Sequence, residues 1–115
     1  QNKNSNKEDT AQINELLSLS KAMSIGDYDE INNLVKTKKL IPNSLNKNIA
    51  RAFINYYNNP SKNAKNIILL LLSQPNADIN FLIEKPKSKK EKISGLIIAA
   101  MKADLEFIKE LLSFE

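Results

Sequence analysis

The chain contains no cysteine, no histidine and no tryptophan. Those absences exclude disulfides, thiolate nucleophiles, imidazole acid–base work and the usual zinc ligands. They leave the compartment open, because a cysteine-free chain tolerates both redox environments. There are only two glycines, Gly26 and Gly95. Neither G-x-x-x-x-G-K-[ST] nor G-x-G-x-x-G can therefore be written, and phosphate-cradling loops of those kinds are excluded. Arg51 is the only arginine; every other basic residue is lysine. Arginine is the bidentate reader of phosphate and guanine, so a lysine-only surface would hold nucleic acid without sequence preference. The net charge of +4 is read as solubility, and nucleic acid is disfavoured as a partner. No stretch reaches the ~18–20 apolar residues needed to span a bilayer; "IILLLL" (67–72) and "LIIAAM" (96–101) are both too short.

What is present fits one globular domain. The chain has 115 residues, 42% of them hydrophobic and 26% charged, which is neither disordered nor fibrous. Residues 1–10, "QNKNSNKEDT", are polar and without apolar periodicity, and read as a flexible leader. The domain is expected over 11–115. The chain starts at Gln1 rather than methionine. The expectation is that something upstream was removed by processing or is not included in the sequence, and the location is read as either cytoplasmic or exported and lipid-tethered.

Apolar residues recur at helical spacing. Ile13, Leu16, Leu17, Ser20 and Met23 or Ser24 share one face. Gly26 stops that helix in left-handed geometry, and Asp27 caps the next, whose stripe is Tyr28, Ile31, Leu34 and Val35. Pro42 ends the pattern, with Asn43 and Ser44 as turn or capping residues. Leu45, Ile49, Ala52, Phe53 and Tyr56 predict a third helix. It ends at "NNPS", where Asn58 and Asn59 tolerate left-handed geometry and Ser61 caps a fourth helix. That fourth helix carries "IILLLL", apolar all round, so it needs cover on more than one side. "FLIEKPKSKKEK" (81–92) holds five lysines and a proline and reads as an exposed loop. Leu96, Ala99, Ala100 and Ala103 fit a fifth helix, and Leu105, Ile108, Leu111 and Leu112 a sixth, with Asp104 capping between them. The prediction is helix–tight turn–helix three times over, an all-α architecture with little or no strand.

"SGLIIAAMKADLEFIKELLS" (94–113) resembles an ankyrin repeat, whose pattern runs T-P-L-h-x-A-A-x-x-G-x-x-x-h-h-x-x-L-L. Ser94 stands at the threonine, Leu96 at the leucine, Ala99 and Ala100 at the alanine pair, and Leu111 and Leu112 at the closing leucines. "LSLSKAMSIGDYDEINNLV" (17–35) fits the same template through Ala22, Met23, Gly26, Ile31, Leu34 and Val35. Ala77-Asp78-Ile79-Asn80 matches the A-D-h-N end of a repeat. The resemblance implies a solenoid of about three repeats, at roughly 11–43, 44–80 and 93–115. It departs from the family in several places. Gly95 stands for proline, Ile97 for histidine and Ala103 for the stop glycine. The 77 positions from Gly26 to Ala103 exceed the ~66 of two repeats. No Asp-Gly turn precedes any repeat, which argues against hairpin fingers. A bundle of six short helices is the alternative architecture.

With histidine and cysteine absent, a reactive centre would have to come from Asp, Glu, Lys, Tyr, Ser or Thr. "GDYDEIN" (26–32) clusters three carboxylates but lacks the order of a calcium loop, so helix capping is the reading. No catalytic residue, metal ligand or cofactor is expected. The ankyrin resemblance implies a protein–protein interaction module. Arg51, Tyr57, Lys85, Lys87, Lys89, Lys90 and Phe114 are the candidate partner-binding residues. Ile97, Ile98, Phe107 and Phe114 are expected to leave the last repeat apolar on several sides, which raises self-association through that end. Two other functions stay open: a structural helical domain of a lipid-tethered surface protein, and a lysine-driven binder of anionic surfaces.

Overall fold

A computed structural model describes residues 17–37 and 42–114, with the side chains of Pro42 and Lys89 excepted. The leader, Ile13, Leu16 and the 38–41 connection lie outside the described residues. Within them the chain is mostly helical: α1 (17–25), α2 (Tyr28–Thr37), α3 (Pro42–Asn58), α4 (Lys62–Leu72), α5 (Gly95–Met101) and α6 (Leu105–Leu112). A small antiparallel sheet, β1 (Ile83–Lys85) and β2 (Ser88–Ile93), lies between α4 and α5.

Two of the three helix hairpins turn by the same device. Gly26 has φ 69°, its amide donates to the Met23 carbonyl, and the Asp27 amide donates to Ala22. Ala103 has φ 55°, its amide donates to Ala100, and the Asp104 amide donates to Ala99. Both are Schellman turns, in which a left-handed residue lets two amides cap the last carbonyls of the helix. The next residue then caps the following helix: Asp27 Oδ1 accepts from the Glu30 amide at 3.1 Å and Asp104 Oδ1 from the Phe107 amide at 3.1 Å. A Cβ at left-handed φ costs on the order of 1 kcal/mol. Ala103→Gly is therefore expected to raise stability by about 0.5–1 kcal/mol, and Gly26→Ala to lower it by about 1 kcal/mol. Urea denaturation of the two variants checks the opposite signs. The turn between α3 and α4 differs. Neither Asn58 nor Asn59 is left-handed; the Asn59 amide simply continues the helix ladder to Asn55, and Ser61 caps α4 by accepting from the Ala64 amide.

The core forms where apolar stripes of the hairpins meet. Leu45, Ile49, Ala52, Phe53 and Tyr56 of α3 are all buried, as the spacing predicts. On α4, Ile67, Ile68, Leu71 and Leu72 are buried while Leu69 and Leu70 are half-buried against the core, so its all-round apolar surface is covered on several sides. The α1 stripe is displaced from expectation: Leu19, Ala22 and Met23 are buried, whereas Leu17 is 62% exposed and Ser24 faces out. Pro42 opens α3 instead of preceding it, which places Asn43 and Ser44 inside the first turn. Proline suits that first position, since its missing N–H has no partner there anyway.

The stretch 81–92 is corrected from a loop to part of a hairpin. Ile83 pairs with Ile93 and Glu84 with Lys92, and the register then jumps so that Lys85 faces Ser88. Lys89, Lys90 and Glu91 form a bulge on β2. Pro86, with its φ fixed by the ring, and Lys87, at φ 69°, make the turn in place of an Asp-Gly pair.

Helix α3 contacts helices of the hairpins before and after it. Its Arg51 and Asn55 bond to α1, and its Phe53 and Tyr57 meet α5 and the turn after it. At 100° per residue those two pairs lie about 200° apart around the helix. Helices α1 and α5 therefore sit on opposite sides of α3, while α2 packs against α4.

Candidate functional site

Helix α3 exposes one strip between its contacts with α1 and α5. Lys47 and Asn58 are exposed there, and Ala50 and Ile54 half-buried. Arg51 borders the strip. Its guanidinium donates from Nη1 to Ser20 Oγ at 2.6 Å and from Nη2 to Ser24 Oγ. This single arginine acts first as a tie between helices. On the other border, Tyr57 is half-buried with Lys102 Nζ 4.9 Å from its ring centroid, a cation–π contact. Helix α5 contributes Ile97 (47% exposed) and Met101 (41% exposed), one turn apart on its outward face.

The β-hairpin leads into α5 and carries the lysine run. Lys85 Nζ lies 3.1 Å from Glu91 Oε2, so part of its charge is met within the hairpin. Lys87, at the turn, and Lys90 and Lys92, on β2, are exposed. Lys89 lies on the backbone of β2. Of the residues singled out from sequence, Lys85, Lys87, Lys89 and Lys90 thus share one hairpin. Arg51 and Tyr57 share α3. Phe114 stands apart, past the end of α6, half-buried against the core. The last hairpin also differs from expectation: Ile98 and Phe107 are core, and Leu105 (71% exposed) and Leu112 (50% exposed) face out instead. Sequence reasoning missed Met101 and Lys102. The i, i+4 spacing of Ile97 and Met101 was a usable signal for the first.

Among the described residues, one strongly perturbed polar cluster joins α3, α4 and α6. Asp104 Oδ2 accepts from the Tyr56 hydroxyl at 3.0 Å and from Lys65 Nζ at 3.1 Å, while Oδ1 caps α6. Partial burial pushes the Asp104 carboxyl up, but the Phe107 amide, Lys65 and the Tyr56 hydroxyl outweigh it and hold the group below its ordinary value. Burial, then the hydrogen bond and negative charge of Asp104, push the Tyr56 hydroxyl up to about 12. The Tyr56 ring packs tilted against Phe107, with centroids 5.0 Å apart, and is fully buried. The cluster ties α3, α4 and the start of α6 together, with Lys65 and Asp104 keeping some solvent contact.

Among the described residues no three acidic side chains converge into a group that could hold a metal, and no helix is long and apolar enough to cross a membrane. Comparison with family models, curated proteins and solved structures gives no match.

Proposed function

We infer that this chain is a non-catalytic protein–protein interaction module, a short stack of ankyrin-like helix hairpins. The observation that carries the reading is the position of α3 between α1 and α5, with α2 against α4 on the other side. In a repeat stack each unit touches only its neighbours. The matched Schellman turns at Gly26 and Ala103 and the β-hairpin ahead of α5 support it. The partner surface is the strip of α3 and α5 beside that hairpin: Ile54, Tyr57, Ile97 and Met101, edged by Lys87 and Lys90. Aliphatic and aromatic side chains next to free lysines suit a partner segment that is apolar with acidic flanks.

A photo-crosslinking residue installed at 54, 97 or 101, in turn, tests this in cells. One discrete adduct is expected from those positions and none from 29 or 33 on the exposed face of α2. Equal yield from both sets would remove the reading. A second reading, hairpin lysines gripping an anionic surface, is favoured by the clustering of Lys87, Lys90 and Lys92. It would appear as adducts from 87 and 90 alone that vanish at ~0.5 M salt.

A further inference from the structure

The joints between successive hairpins are filled differently. Between the second and third, Tyr56, Phe107 and Asp104 close the joint. Between the first and second, small residues and a longer turn leave an open cavity of about 300 Å³. Its floor is Met23, Ala52, Ala64 and Ile67, and four asparagines, Asn55, Asn58, Asn59 and Asn63, stand in its walls. No charged side chain and no aromatic ring is among the described residues lining it.

Two of the asparagines are already engaged. Asn55 Nδ2 donates to the Met23 carbonyl at 3.3 Å and Asn63 Nδ2 to the Gly26 carbonyl at 2.8 Å. These bonds fix the walls to each other across the joint and leave each Oδ1 as an acceptor. Asn58 and Asn59 are exposed at the rim, each with two donors and an acceptor. The end of α1 and the start of α4 also face the cavity, but the Ala22, Met23 and Gly26 carbonyls and the Ala64 amide already have partners.

We propose that this cavity binds an uncharged stretch of peptide through its main-chain amides, seating one small aliphatic side chain on the Met23–Ile67 floor. A peptide group is neutral and offers one donor and one acceptor, which the carboxamides match. The absence of a lining charge disfavours carboxylate, phosphate and ammonium ligands, whose desolvation would go uncompensated. The absence of a ring removes the flat face on which sugars stack. The volume is at the small end of the range for ligand sites, enough for a few residues of peptide. The site stands on the cavity alone, independent of the α3–α5 partner surface.

The test is a nuclear magnetic resonance titration of the ¹⁵N-labelled full chain with the uncharged peptide N-acetyl-Ala-Val-Ala-amide. Saturating shifts are expected at the side-chain amides of Asn58 and Asn59 and at the backbone of Gly26 and Ala64, and none from methyl glucoside or inorganic phosphate. Asn58→Ala with Asn59→Ala should weaken binding about threefold or more with an unchanged melting temperature. Ala64→Leu, which fills the floor, should abolish it; the asparagine double variant decides the matter if Ala64→Leu fails to fold. Shifts that never saturate overturn the proposal, as does saturation unchanged in the double variant or phosphate or glucoside binding at these residues.

Discussion

Gly95→Ala is expected to destabilise this chain by about 1–3 kcal/mol, although alanine is the better helix former. Gly95 is the first residue of α5, just after the Ser94 cap. On propensity alone the substitution would be neutral or stabilising by a few tenths to about 1 kcal/mol. The contact reverses the sign. A Cβ built on Gly95 overlaps Cζ and Cε2 of Phe53 and comes within 2.8 Å of Cε1, far inside the ~3.5–4.0 Å of a favourable carbon contact. The ring has little freedom to retreat, since Phe53 is fully buried and its centroid lies 6.3 Å from that of Phe107. Either α5 lifts from α3 or the ring leaves its rotamer, and both are costly in a close-packed interior. Proline at this position would bring a Cβ into the same space. Urea denaturation should show a lower midpoint with the slope unchanged. Phe53→Leu should relieve the clash, so the double variant is expected to be more stable than the two single losses added together, with a coupling of about 0.5–3 kcal/mol. A raised midpoint for Gly95→Ala would mean that α3 and α5 are not in close contact.

The buried face of α3 was legible because one stripe, Leu45 to Tyr56, outweighs any competitor. The face of α1 was not. "LLSLSKAM" offers two overlapping stripes, one through Leu16, Leu17 and Ser20 and one through Leu19, Ala22 and Met23. The structure buries the second, with Leu19, Ala22 and Met23 in the core, while Ser20 and Ser24 at the edge of that face meet Arg51, 31 residues beyond Ser20. Tertiary contacts of that kind leave no local trace. The β-hairpin was hidden for a different reason. Lysine and glutamate are poor strand formers, and the turn carries Pro86-Lys87 in place of the glycine pairs that mark tight hairpins. What secures it is the Ile83–Ile93 pair, ten residues apart and easily lost in the charge between. Of the candidate site, the lysines were readable as exposed charge, but the exposed strip of α3 was not. It depends on which side of α3 faces α5, and that is decided by a glycine and a ring. Ala103 is the reverse case: the sequence placed a tight turn there, and the structure shows that alanine takes the left-handed geometry, at φ 55°.

Asp104→Ala is the second large effect, expected to cost about 2–4 kcal/mol. The substitution removes the cap of α6, worth about 0.5–2 kcal/mol. It also leaves the buried Tyr56 hydroxyl without its acceptor, a further loss of about 1–3 kcal/mol. The exchange with Lys65 adds less, because both partners keep some solvent contact, at 30% and 21% exposure. Tyr56→Phe should therefore be mild by itself and should return part of the loss when combined with Asp104→Ala, since no orphaned hydroxyl remains. The pH dependence separates the two groups. The Asp104 carboxyl titrates below its unfolded value, so its contribution is complete above about pH 4 and is lost as pH falls through the folded value. The Tyr56 hydroxyl is raised from 10 to about 12, so its contribution is complete below pH 10 and is lost as pH climbs toward 12. Asp104→Asn keeps a capping oxygen but no charge. The acid limb of its stability profile should flatten relative to the parent, while most of the alkaline limb remains, because burial is the larger cause of the Tyr56 shift. Loss of the alkaline limb together with the acid one would show that the carboxylate, and not the interior, governs Tyr56. The bond between the second and third hairpins would then be electrostatic where the geometry makes it chiefly a matter of packing.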